Sequence, residues 1–474
     1  MPPIQFKNER NMSDIFIPAS EPSNHAIRIL PLTSDQWGHF SESLSASVQQ
    51  WVKQSGFSAK AKQLCFVPAE DGGLDYILFG LGLSFDWMAV TALPHQLQPG
   101  EYQFDLSSHD LSSHEEYLTY LFWGLGSYSF DQYQDAPSEH AVMVVPGHID
   151  YDGLSTWTSS IFLGRDLVNT PCADLGPADL EQAIRHVAEE CDATLHITSG
   201  DVLAQEYPAL YAVGKGAQQG PRLIDLTWGD EDAPKITLVG KGVCFDTGGL
   251  NLKPPRGMRQ MKKDMGGSAA AIALARVIMQ QQWPVRLRLM IPAVENAIDN
   301  TSYRPGDILQ TRAGISVEVD NTDAEGRLIL CDVLFEACTE SPDYLIDFAT
   351  LTGARGVALG PDYAAIFSNQ SPLAVEVQQH SIQQHDLVWP LPLHRPYNSM
   401  LTSTIADCQN CSTTGQAGTI TAALFLDKFV AQETSWMHLD IPGEHEQALQ
   451  GSKTGGNIEG VRAVASFLKE KLAL

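Results

Sequence analysis

Nowhere in the 474 residues do about eighteen apolar side chains run together, the length a helix needs to cross a bilayer. The amino terminus, MPPIQFKNERNMSD, is charged early and has no apolar segment of the kind that directs export. A cytoplasmic protein with no membrane contact is the expectation. Basic residues are scarce: 30 Lys plus Arg stand against 57 Asp plus Glu, a formal charge of −27, and no block of like charges forms a tail. That balance disfavours nucleic acid and anionic membrane as partners, since both repel an acidic surface. Eight cysteines are scattered through the chain, several inside apolar runs where they read as small buried hydrophobes, which suits a reducing cytosol. Cys408 and Cys411 form one C-x-x-C, but no second pair of Cys or His follows at zinc-finger spacing. No internal repeat or low-complexity tract is visible, and GLGLSF near Gly80 misses the spacing of a dinucleotide fingerprint.

What is present is enough apolar sequence, 43%, for sizeable cores. From His25 to Pro146, short apolar strands (Ile27 to Leu32, Gln63 to Val67, Tyr76 to Phe79, Ala141 to Val145) alternate with helix-like segments at Ser34 to Ser55 and Glu115 to Gly124. Trp123 and Tyr128 read as core or interface residues. A polar, turn-rich stretch before Gly153 predicts a boundary near residue 150, so residues 1–150 are expected as a smaller α/β domain and 151–474 as a larger one. Beyond it, strands at Thr194, Lys235, Val285, Ile315, Tyr344 and Trp436 are separated by helical patterns, including Pro177 to Cys191, Gly267 to Gln281 and Arg327 to Glu340. This predicts a mostly parallel sheet covered by helices, with the ligand cleft beyond the carboxyl ends of its strands.

The stretch Asn321 to Leu328, NTDAEGRL, sits at a strand-to-helix junction. Asp323 and Glu325 are two apart, and such a pair alone is usually a solvated loop. About eighty residues upstream, however, VGKGVCFDTGGLNLKP contributes Lys241, Asp246 and Lys253, and KKDMGGSAA adds Asp264. A cleft holding four carboxylates needs compensating positive charge, because buried acids repel one another. Metal ions supply it.

These residues resemble the cytosolic leucyl aminopeptidase family, two-metal enzymes that remove amino-terminal residues from peptides. NTDAEGRL is that family's signature, and RDLVNTP (Arg165 to Pro171), DMGGSAA (Asp264 to Ala270), ATLTGA (Ala349 to Ala354), IAD (Ile405 to Asp407), AGTITAALFL (Ala417 to Leu426) and HLDI (His438 to Ile441) are further matches. The resemblance runs from about residue 155 to the end and is only general before that. It implies Lys241, Asp246, Asp264, Asp323 and Glu325 as ligands of two divalent ions, Zn or Mn, with Asp246 and Glu325 shared. It makes Lys253 and Arg327 the catalytic pair, with bicarbonate at Arg327 as proton shuttle; Arg327 could instead pair with Glu325 as a structural ion pair. A neutral Lys241 amine is chemically reasonable, since two cations and desolvation both lower its pKa. Short peptides are the implied substrates and a homohexamer the implied assembly.

The resemblance places the pocket for the substrate's first side chain around Met261, Thr350, Gly353, Pro442 and His445, where His445 stands at a usually apolar position. Its ring either lines that pocket or points to solvent. A second departure is CQNCSTTGQAG (Cys408 to Gly418), which lacks the family's usual G-G-R before its A-G. Competing readings are a two-metal phosphoesterase, which would want several His ligands that these loops lack, and a structural or regulatory member that has lost its chemistry, which should show losses among the seven positions.

Overall fold

The structure is a computed structural model that describes residues 11–19, 26–134, 140–445 and 455–474. The chain folds as two compact units, and the division between them falls between Phe162 and Leu163, within the helix Tyr151–Asn169.

The first unit carries a sheet of six strands: β1 (Phe16–Pro18), β2 (Ile27–Thr33), β3 (Leu64–Pro68), β4 (Leu74–Gly82), β5 (Gly100–Phe104) and β6 (Ala141–Val145). Their order is β1-β6-β5-β2-β4-β3, parallel throughout except for the antiparallel pair β3 and β4. The single helical pattern expected over Ser34 to Ser55 is two helices, Ser34–Ser43 and Ala46–Ser55. Ser45 is the reason: its backbone is extended and its hydroxyl accepts from Val48 N–H, capping a new helix rather than continuing the old one. Trp123 and Tyr128 are buried, as core residues should be.

The second unit is built on nine strands: β7 (Thr194–Ser199), β8 (Arg222–Trp228), β9 (Lys235–Gly240), β10 (Gly242–Asp246), β11 (Arg286–Asn296), then β14 (Tyr344–Ala349), β15 (Ala364–Ser368), β16 (Val388–Pro390) and β18 (Trp436–Asp440). Between them in sequence lie β12 (Ile308–Gln310), β13 (Ser316–Glu318) and β17 (Cys408–Gln409). The centre of the large sheet, β18-β14-β9-β11 with β10 beside β11, is entirely parallel, and antiparallel pairs occur only towards its edges. Five of the six residues of KITLVG in β9 are buried, the near-continuous burial of a strand covered on both faces.

The expected strand at Ile315 to Val319 does not join this sheet. It is β13 of a separate three-stranded sheet with β12 and β17. The turn at Thr311 to Gly314, where Gly314 N–H donates to Thr311 O at 2.9 Å, folds β13 back on β12, and the Asp407 carboxylate accepts from Ser316 N–H at 2.8 Å at the other edge. Three residues are too few to cross the large sheet, and their main-chain groups are satisfied locally.

Two contacts fix where the chemistry sits. A Cβ on Gly267, in the helix Gly266–Gln280, would lie 2.1 Å from Phe348 O, so only glycine lets that helix lie so close to β14. Asp332, in the helix Glu325–Cys338, is fully buried and accepts from Ala209 N–H (2.9 Å) and Leu210 N–H (3.2 Å) with one oxygen and from Arg312 N–H (2.8 Å) with the other. It thereby caps the helix Pro208–Gly214 from the side and ties it to the site-bearing helix. Burial pushes its carboxyl up to about 6, although these three donors pull the other way.

Asp332→Asn turns an acceptor into an NH₂ facing backbone donors and is expected to destabilise the protein by about 1–3 kcal/mol at pH 7. A raised folded-state pKa means the folded chain keeps a proton that the unfolded chain has lost, so the stability Asp332 contributes falls as pH rises from about 4 to about 6. The gap between wild type and Asp332→Asn should therefore narrow over that window. Urea midpoints across a pH series measure it, and an unchanged midpoint at every pH would refute the bracing role.

Candidate active site

Asp246 ends β10, and Lys241 stands between β9 and β10, where its N–H donates to Phe348 O at 2.9 Å. Asp264 lies in a short 3₁₀ turn, Met261–Met265, just before the helix whose Gly267 packs on β14. Asp323 precedes the helix Glu325–Cys338, and Glu325 is that helix's first residue. The pair is thus aimed by a helix start, with Ala324 at φ −114 and ψ 44 as the N-cap, not by the extended backbone that the two-residue spacing suggests. A Cβ on Gly326 would meet Lys241 Cε at 2.5 Å, so glycine there lets the lysine chain pass beneath the helix.

All four acids and both lysines converge. Lys241 Nζ lies 2.8 Å from Asp264 and 2.9 Å from Glu325, and also donates to Thr350 O at 2.9 Å. Lys253 Nζ lies 2.8 Å from Asp246 and 2.6 Å from Asp323. Oxygens of Asp246, Asp323 and Glu325 lie within 4.8 Å of one another. The resulting balance, four carboxylates less two ammoniums, is −2 when all are charged.

The electrostatics follow from that excess. Burial among like charges pushes Asp246 up to about 7 and raises Asp264 and Asp323 as well. Glu325 is also penalised by burial, but Lys241 and Lys253 outweigh it and hold the carboxyl near 2. Burial alone would depress both lysines, yet the surrounding carboxylates keep them above the usual amine range. Divalent cations fit this donor set: the net charge calls for them, and Asp264 Oδ2 and Glu325 Oε2 are buried oxygens that accept no hydrogen bond among the described residues.

Arg327 is buried, donates through Nη1 to Asn410 O at 2.8 Å, and leaves Nε without a partner among the described residues. No ion pair joins it to Glu325 among the described residues, so the structural pairing weighed above is not formed. Burial lowers its pKa from the usual arginine value, with Cys411, Glu325 and Asp440 opposing that.

The residues suggested for the substrate's side chain are placed as follows. Thr350 Oγ1 donates to Asp264 at 2.9 Å, and Met261 opens the turn that carries Asp264. Gly353 begins the helix Gly353–Leu359 with open space where a Cβ would be, and Pro442 is buried. His445 is only 6% exposed, which excludes a solvent-facing ring. Its Nε2 lies 2.9 Å from Asn457 Nδ2 and 3.5 Å from Glu459, while Nδ1 has no hydrogen-bond partner among the described residues.

Several residues essential to this arrangement were not anticipated. Asn296 Nδ2 donates to Asp246 at 2.8 Å and to Thr322 O at 3.1 Å, and the Tyr303 hydroxyl donates to the same carbonyl at 2.6 Å. The Thr322 hydroxyl donates to Gly248 O at 2.7 Å and accepts from Asn251 N–H at 2.9 Å, joining the two carboxylate-bearing loops. Asn251 and Thr322 fall inside the two carboxylate-bearing stretches and Asn296 and Tyr303 outside them, but none carries a charge, and Asn and Thr in loops are ordinary turn formers.

The profile of the cytosol aminopeptidase family, catalytic domain, matches residues 162–465, and that of the M17 aminopeptidase N-terminal domain matches residues 27–146. The probable cytosol aminopeptidase of Roseiflexus castenholzii is 43% identical over 284 residues, 59% of this chain and 58% of that relative, so the match spans less than two-thirds of its length. A crystal structure of cytosol aminopeptidase from Coxiella burnetii superposes with a TM-score of 0.92 at 45% identity, over 96% of this chain and 99% of that one. The bottromycin maturation enzyme BotP in complex with Mn gives a TM-score of 0.85 at 30% identity, covering 94% of this chain and 100% of that one.

Because burial among like charges pushes Asp246 up to about 7 and the carboxylates hold Lys241 protonated, divalent cations that bind to these two residues at pH 6.5 should expel protons from both. Calorimetry in two buffers of different ionisation enthalpy reads this directly. Binding with no proton release would contradict the proposed ligand set.

Proposed function

The chain belongs to the cytosol aminopeptidase family, and on that premise we propose that it is a metal-dependent exopeptidase that removes the amino-terminal residue from short peptides. The observation that carries this reading is the convergence of Asp246, Asp264, Asp323 and Glu325 around two lysines, with a net negative balance and unpartnered buried oxygens. Two divalent ions, Zn or Mn, held by Lys241, Asp246, Asp264, Asp323 and Glu325, would acidify a water and draw charge from the scissile carbonyl.

The chain's own residues do the rest. Lys253, with its side chain 15% exposed at the edge of the cluster, is suited to donate to the carbonyl oxygen as negative charge develops there. Arg327 offers a planar fork with Nε free, a site for a small oxyanion such as bicarbonate. The substrate's free amine would sit beside Asp264, and an internal peptide bond has no such amine. Met261, Thr350, Gly353, Pro442 and His445 would receive the first side chain. The homohexamer implied by the family resemblance is part of the same reading.

Glu325→Ala should abolish hydrolysis of aminoacyl amides and lower metal content while leaving the fold intact, because it removes a shared ligand. Lys253→Ala should keep its metal and lose rate, by roughly 2–4 kcal/mol of transition-state stabilisation. Metal analysis beside steady-state kinetics separates them, and equal metal loss in both variants would overturn this division of roles.

A buried imidazole backed by Asn457 and Glu459 is a poorer neighbour for leucine than a thioether is. His445→Met is therefore expected to raise kcat/KM for leucyl substrates relative to polar or acidic ones. Unchanged ratios across such a series would remove His445 from the pocket.

A further inference from the structure

We propose that Asn410 is the positioning residue that sets the separation of Asp323 and Glu325, and through it the affinity of the carboxylate cluster for divalent cations. The inference rests on the functional reading above and adds a residue to it.

Asn410 is fully buried, and every hydrogen bond it makes among the described residues runs to one ten-residue stretch, Glu318 to Arg327. Its Oδ1 accepts from Asp320 N–H at 2.9 Å and Asn321 N–H at 3.2 Å. Its Nδ2 donates to Asn321 O at 2.7 Å and, more weakly, to Ala324 O at 3.4 Å. Its main-chain N–H donates to Glu318 O at 3.0 Å, and its main-chain carbonyl accepts from Arg327 Nη1 at 2.8 Å. One residue thus holds the loop before Asp323, the carbonyl of Ala324 between the two acids, and the arginine beyond them.

Only an amide suits this place. A carboxylate would set negative charge against the carbonyls of Asn321 and Ala324, and an aliphatic side chain would strand buried main-chain donors and acceptors. The opposite side of the loop is already fixed, since Asn251 Oδ1 accepts from Thr322 N–H at 2.8 Å and Asn296 Nδ2 donates to Thr322 O at 3.1 Å. The loop is therefore gripped from both sides. Without Asn410 the loop is held from one side alone, at Thr322, and Asp323 loses the support that fixes its distance from Glu325, which the helix anchors. The strut also reaches this site from β17, whose register with β13 (Val317 opposite Cys408, Glu318 opposite Gln409) delivers Asn410 to the end of the ladder.

The test uses full-length protein stripped of metal, with Mn²⁺ as the probe and a competing chelator as the readout. Asn410→Ala is expected to weaken Mn²⁺ binding about ten- to a hundredfold. At saturating Mn²⁺, kcat for a leucyl amide should fall while KM stays within about twofold of wild type, since the residues proposed to hold the side chain are untouched. Asp332→Asn is the control, because it loosens the same helix without touching this loop. Mn²⁺ affinity within twofold of wild type in Asn410→Ala, or an equal loss in the control at matched thermal stability, would overturn the proposal. Should Asn410→Ala not fold, the isosteric Asn410→Asp takes its place with the same expected loss. Wild-type protein that binds Mn²⁺ but cleaves no aminoacyl amide would defeat the functional reading and leave the affinity test standing. Wild type that binds no Mn²⁺ would defeat both.

Discussion

Charge compensation inside a nearly dry cleft is the constraint from which the rest of the second unit follows. Four carboxylates brought within a few ångströms cannot all ionise unless cations stand among them, and Lys241 and Lys253 each bridge two acids. Placing those lysines requires three backbone segments to meet almost without side chains between them. Gly267 against Phe348 O and Gly326 over Lys241 are the points where they do so. The central parallel strands then serve as a rigid floor: Lys241 sits between β9 and β10, which run in line along one edge of β11, Asp246 ends β10, and Thr350 follows β14.

The roof of the site is built differently. Asp323 and Glu325 do not hang from the large sheet but from a helix start, steadied by a three-stranded sheet of very short strands. Such a small sheet contributes little burial of its own, so side-chain hydrogen bonds carry the positioning: Asp407 to Ser316, Asn251 to Thr322 and Asn410 to Asn321. Directional bonds of this kind fix a position more narrowly than apolar contact does.

This division explains what could be read from the sequence. The α/β alternation was visible because its strands are apolar and its helices periodic, and the helix at Pro177 was legible from proline at its first turn. The charged residues stood out by their types: Lys241, Asp246, Lys253, Asp264, Asp323, Glu325 and Arg327 all reach one cluster or its border. Strand β8 was not recognised, because Arg222 and Asp225 interrupt RLIDLTW; in the fold Asp225 is paired with Arg288 of the adjoining strand at 2.6 Å. The split at Ser45 and the separate sheet of β13 were missed because a cap and a turn, each a matter of one or two side chains, overrode a longer apolar pattern. Asn251 and Asn410 fall inside stretches that other residues brought to notice and Asn296 inside none, and nothing marked any of the three, since an asparagine that fastens a loop has the same spelling as one that merely turns it.

The two lysines also bear on how such a site can form during folding. A cluster made only of acids would hold the chain open until metal arrived, which is how small metal-nucleated domains behave. Here each acid has an ammonium partner from within the same unit, and Lys241 has the Thr350 carbonyl as a further acceptor. Those contacts let the cleft close around charges the chain supplies itself. The same arrangement makes Lys241 a reservoir: as an ammonium it offsets Asp264 and Glu325, and as a neutral amine it is a nitrogen donor pointing at the same place. Which state prevails depends on whether a stronger cation than the proton competes for those carboxylates. A lysine at that position would thus serve both the assembly of the fold, as an ammonium, and the proposed binding of metal, as an amine, a pair of demands that a further carboxylate could not meet.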